Sequence, residues 1–122
     1  MILPGTVEAA VAFSGDTNPI HTSETAAASA GIGAPIAHGL ILLGLLSKLI
    51  GTRLPGPGSI WFSSELVFKA PVRVGDRVTL RVTVTQISVA ARAVVLAVAA
   101  RVDPTTVLEG SVKVRVPAGV DG

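Results

Sequence analysis

"HGLILLGLLSKLI", residues 38–50, decides how this chain is read. It is apolar almost all the way round a helix, interrupted only by Ser47 and Lys48. A helix on a protein surface keeps a polar stripe; one without such a stripe is buried. The run also falls short of the roughly 20 apolar residues that span a bilayer. It is therefore expected at the centre of a soluble domain, with the rest of the chain packed around it.

Outward from that helix the texture differs on the two sides. Residues 5–50 are rich in Ala, Gly and Leu at helical spacing, and residues 59–117 are rich in Val and Thr. "RVTLRVTVTQISV" (77–89) sets Val78, Leu80, Val82 and Val84 against Arg77, Thr79, Arg81, Thr83 and Thr85. That alternation is the mark of a half-buried antiparallel strand. "SIWFSSELVFKA" (59–70), "ARAVVLAVAARV" (91–102) and "LEGSVKVRVP" (108–117) are expected as further strands. The alanines of 91–101 would tolerate a helix, but strands on both sides favour a strand there. "PVRVGD" (71–76) and Asp103-Pro104 read as turns, and the Gly- and Pro-rich "GTRLPGPGS" (51–59) as a loop.

On the N-terminal side, "TVEAAVAF" (6–13) predicts a short helix with Thr6 as its cap and Glu8 in its first turn. Ser14-Gly15 ends it. Pro19 forces Asn18 out of the α region, so Asp16 to Ile20 form a turn. Ser23 caps a second helix over 23–30, and "GIGAP" (31–35) is a loop. Helices first and an antiparallel sheet afterwards make an α+β domain. One apolar helix and one long sheet point to a sheet wrapped around that helix.

The composition narrows the function. The chain has 122 residues, which suits a single domain. It is 49% hydrophobic and 15% charged, against roughly 25% charged in an average soluble domain. Disorder is excluded, and surplus apolar surface points to a homo-oligomer. A net charge of +2, no basic run and four aromatics (Phe13, Trp61, Phe62, Phe68) argue against nucleic acid as a partner. There is no cysteine for a disulfide or thiolate site. The two histidines, His21 and His38, could not form a zinc site without carboxylates. "MILPGTVEAA" shows no targeting segment, so a cytoplasmic protein with no membrane partner is expected.

Against this apolar background, "FSGDTNPIHTS" (13–23) gathers a carboxylate, an amide and an imidazole around one proline. The turn at Asn18-Pro19 can bring Asp16 and His21 to the same side. A carboxylate and an imidazole can hold one water between them, and imidazole exchanges protons near neutral pH. Such a pair suits adding or removing water. The plain alternative is that Asp16 makes an Asx-turn and His21 flanks a helix start. In "PIAHGLILLG" (35–44), Gly39 opens the apolar helix, whose first-turn N–H groups are free and partly positive. A carbonyl oxygen brought close to that glycine would be polarised. The alternatives are tight packing at Gly39, a helix-start role for His38, and a Ser47 bonded to its own helix backbone.

"FSGDTNPIH", "APIAHGL", "LPGPGSI" and "LVFKAPVRVGDRVT", in this order and spacing, resemble the (R)-specific enoyl-CoA hydratases of the MaoC-like dehydratase family. The resemblance covers nearly the whole chain. It implies a hot-dog fold, a homodimer with its active site near the subunit interface, and a trans-2-enoyl thioester of CoA or acyl-carrier protein as substrate. Asp16 and His21 match the catalytic pair, and Gly39 the glycine whose amide binds the thioester carbonyl. Ser47 and Ile50 fall where family members line the active site and acyl pocket, while Asn18 and His38 would give structural support. No metal or redox cofactor is implied. Relatives usually carry one more strand before the first helix, so either the sheet is one strand short or the start of the chain is truncated. The competing functions are a 3-hydroxyacyl-carrier-protein dehydratase, a hot-dog thioesterase and a non-catalytic thioester-binding subunit.

Overall fold

The computed structural model describes residues 2–21, 23–30, 36–37 and 39–117. Helix α1 runs Pro4–Ser14, α2 Glu24–Ser29 and α3 Gly39–Thr52, with a 3-10 turn at Pro19–His21. The strands are β1 (Ile60–Phe68), β2 (Thr79–Ser88), β3 (Ala93–Val102) and β4 (Thr105–Arg115). They form one antiparallel sheet in the order β1-β4-β3-β2.

The core lies between α3 and one face of the two central strands. Leu96, Val98 and Ala100 of β3 and Leu108, Val112 and Val114 of β4 are buried at alternate positions. Leu42, Leu46 and Ile50 of α3 recur every four residues and are buried with them. Each fully buried Leu or Val of this set contributes about 1.5–3 kcal/mol of hydrophobic stabilisation. Trp61 and Leu66 of β1 and Leu80 and Val82 of β2 pack around this centre, half-buried.

Four sequence expectations need correcting. Helix α1 starts at Pro4 with Leu3 as its cap residue, so Thr6 lies inside it and Glu8 is beyond the first turn. Proline's fixed φ and missing N–H suit the first helical position. Helix α3 is buried on one side only: Gly44, Leu45, Ser47 and Lys48 are exposed, because one sheet and the short α1 cannot surround it. It also continues to Thr52, into the expected loop. Strand β4 begins at Thr105, three residues early, because Asp103-Pro104 is a two-residue turn that pairs Val102 with Thr105. Thr105, Thr106 and Val107 are β-branched and suit a strand. The alanine-rich segment is strand β3, paired on both sides.

Candidate active site

Gly15 stops α1 in the left-handed conformation (φ 73°), its N–H donating to the Val11 carbonyl at 2.8 Å. From there the chain climbs a ladder of side-chain acceptors, each taking the N–H two residues on. Ser14 Oγ accepts from Asp16 N–H (3.0 Å), Asp16 Oδ1 from Asn18 N–H (3.1 Å), and Asn18 Oδ1 from Ile20 N–H (3.3 Å). Asp16 thus does make an Asx-turn. That turn occupies only one carboxylate oxygen; the other, Oδ2, lies 3.4 Å from His21 Nε2. The two readings of Asp16 therefore describe two oxygens of one side chain.

His21 is buried, at 7% exposure, in a 3-10 turn that Pro19 opens. Its Nδ1 lies 2.8 Å from the Ile36 carbonyl oxygen. A carbonyl only accepts, so Nδ1 carries a hydrogen, which leaves Nε2 as the nitrogen that exchanges a proton. Ile36 holds the turn from both sides, since its N–H donates to the Ile20 carbonyl at 2.8 Å. Ile36 is itself anchored by a bridge to Arg73, and Ala37 N–H donates to the Val72 carbonyl at 2.6 Å. The Arg73–Asp76 turn is closed by Asp76 Oδ2 accepting from Arg73 N–H at 2.8 Å. The "PVRVGD" motif thus acts on the site indirectly, by fixing the segment that orients the imidazole.

Gly39 opens α3 beside this segment. A Cβ built there would lie 3.0 Å from Cζ and 3.1 Å from Cε1 of Phe68. Tight packing at this glycine is real, and it is packing against a ring at the end of β1. His21, Gly39, Leu42, Phe68 and Lys69 line one cavity of about 380 Å³. It brings together an imidazole, the start of a helix and an aromatic wall, while Asp16 stands at 50% side-chain exposure against the imidazole. Two acceptors, Asp16 Oδ2 and His21 Nε2, can each take one hydrogen of the same water. The N–H groups of α3's first turn can polarise a carbonyl.

Ser47 and Ile50 are not among the residues lining this cavity. Ser47 is exposed, about 12 Å along α3 from Gly39, and Ile50 is a core residue about 16 Å along it. His38 lies outside the described residues. Asn18 supports the turn through its side-chain bond to Ile20. A second cavity of about 360 Å³, between the β2–β3 hairpin and Leu54-Pro55, is lined mainly by apolar side chains, with Arg92 the one charge among the described residues. It has no acid–base pair among the described residues.

Residues 7–106 match the family described as "MaoC like domain". The chain belongs to that family. This MaoC-like chain is 47% identical over 105 residues to a 3-hydroxybutyryl-CoA dehydratase of Methylorubrum extorquens, covering 86% of this chain and 67% of that one. It is 45% identical over 103 residues to an (R)-specific enoyl-CoA hydratase of Rhodospirillum rubrum, covering 84% and 72%. Among solved structures, the (R)-hydratase from A. caviae superposes with a TM-score of 0.90 at 36% identity, covering 95% of this chain and 89% of that one. An R-hydratase from Pseudomonas aeruginosa gives 0.88 at 31% identity, covering 95% and 75%. The fold is the hot-dog fold, a sheet packed on a long central helix.

Three residues of the candidate site escape a reading of the sequence: Ser14, Ile36 and Phe68. All lie inside the quoted motifs. Ile36 acts through its main chain, which side-chain chemistry does not reveal. Phe68 reaches Gly39 only after the fold brings β1 to the start of α3.

Proposed function

We propose that this chain is an (R)-specific enoyl-CoA hydratase, adding water reversibly to a trans-2-enoyl thioester to give the (R)-3-hydroxyacyl thioester. The observation that carries the reading is Asp16 Oδ2 at 3.4 Å from His21 Nε2, in a ring whose other nitrogen is bonded to a carbonyl. A general acid or base at this position contributes about 10²–10⁴-fold to such a reaction.

Water donates one hydrogen to the carboxylate and one to Nε2. As its oxygen bonds to C3, one water O–H bond breaks and that proton passes to the Asp16–His21 pair. The C2–C3 double bond supplies the electrons, which move toward the thioester oxygen. The Gly39 N–H donates to that oxygen and stabilises the enolate-like charge. The pair then returns a proton to C2, so H and OH are added and the protein regains its starting state. The chemistry is redox-neutral and calls for no separate cofactor, CoA or an acyl carrier being part of the substrate.

A homodimer fits the exposed side of α3 and the exposed apolar residues Ile60, Phe62 and Val67 of the edge strand β1. Among the described residues no helix is long and apolar enough to cross a membrane; a cytoplasmic location is part of the proposed reading.

The test is loss of conjugated-enoyl absorbance from crotonyl-CoA, with free thiol followed in parallel and the product's chirality assigned. Loss of conjugation without thiol, giving the (R) product, is expected. Thiol release would replace the reading with a thioesterase. Activity confined to carrier-protein substrates would replace the CoA ester.

A further inference from the structure

We propose that Ser14 is a positioning residue for hydration, holding Asp16 so that its Oδ2 faces the imidazole; this rests on the hydratase reading above. Asp16 is 50% exposed, so packing alone does not fix its rotamer. A half-exposed carboxylate samples several χ1 and χ2 wells unless hydrogen bonds select one. Here one bond holds the carboxylate itself and a second holds the main chain that carries it. Asn18 N–H holds Oδ1 from the front at 3.1 Å, and Ser14 Oγ holds the Asp16 main chain from behind at 3.0 Å.

Ser14 is suited to this because its own hydroxyl is oriented. The O–H donates to the Ala10 carbonyl one turn back, at 2.6 Å, which directs the oxygen's lone pairs away from the helix. Asp16 N–H meets one of them. The hydroxyl thereby joins α1 to the residue carrying the carboxylate. Ala10 is a buried residue of the core cluster, so the carboxylate's position is referred to the packed part of the molecule. An alanine at this exposed position would favour the helix more than serine does. What serine adds is the pair of bonds, one to the core side and one to Asp16.

Ser14 acts through Asp16 and not on substrate, so its removal shifts the fraction of enzyme with the carboxylate correctly placed. Misplacing a catalytic group by about 1 Å can cost about 10²-fold. Turnover falls and substrate affinity stays.

The experiment compares the parent chain with Ser14→Ala and Ser14→Thr, measuring crotonyl-CoA hydration and thermal unfolding on each. Ser14→Ala is expected to lower kcat about tenfold or more, with KM changed less than about twofold and Tm nearly unchanged. Ser14→Thr keeps the hydroxyl and is expected to recover most of kcat. Parent-like kcat in Ser14→Ala overturns the proposal while leaving the hydratase reading intact. So does a loss that threonine does not rescue, or one in which KM and Tm move together with kcat. A parent chain that fails to hydrate overturns the hydratase reading, and this proposal with it.

Discussion

The ring of Phe68 rests against the backbone of Gly39, so close that a Cβ on Gly39 would sit 3.0 Å from the ring's Cζ. One atom group would thereby be shared by two demands: the ring needs Gly39 bare, and so would a thioester bound, as proposed, at the Gly39 amide. Gly39→Ala is expected to displace the ring and lower kcat/KM about tenfold, or about 1.4 kcal/mol. Gly39→Val is expected to do worse. Adding Phe68→Leu to Gly39→Ala should recover part of the loss by relieving the contact. Parent-like kinetics in Gly39→Val would contradict the role given to that amide.

His21 has a structural bond as well as a chemical one. Its Nδ1–H donates to the Ile36 carbonyl, and the same Ile36 grips Ile20 through its N–H. His21→Ala leaves that carbonyl without its donor in a part-buried place. The expected cost is about 1–3 kcal/mol of stability, read as a lower urea midpoint at unchanged m-value. An unchanged midpoint would mean water replaces the imidazole there without loss.

Gly110 sets how closely β1 and β4 approach. It pairs with Leu66 at φ 155°, and a Cβ there would overlap the Glu65 carbonyl oxygen. Backbone on a sheet cannot yield as a flexible side chain can. Gly110→Ala is expected to destabilise the chain by about 1–3 kcal/mol or more, measured by thermal or urea unfolding. Stability equal to the parent would show that the strands can separate locally without penalty.

What the sequence reveals here follows the range of the forces involved. The turn from Asp16 to His21 is legible because Pro19 and the Asx acceptors act within a few residues. The strands are legible from their period, and β3 from its neighbours despite its alanines. The one-sided burial of α3 is not legible, because an apolar sequence states that a helix can be buried but not how much chain is present to bury it. The grip of Ile36 on His21 and of Phe68 on Gly39 depends on segments 15 and 29 residues apart in sequence meeting in one register. No local pattern encodes that. Ser47 and Ile50 rest on resemblance alone; on α3 the first is exposed, the second is in the core, and neither lines the His21 cavity.

The most direct test of the account is the hydration rate of Asp16→Asn on crotonyl-CoA. Asparagine can still accept the Asn18 N–H, so the Asx-turn is kept while the carboxylate's charge and proton affinity are removed. The account predicts a folded protein, with the parent's circular dichroism and Tm, whose turnover is about 10²–10⁴-fold lower. A folded Asp16→Asn protein that hydrates at the parent's rate would contradict it.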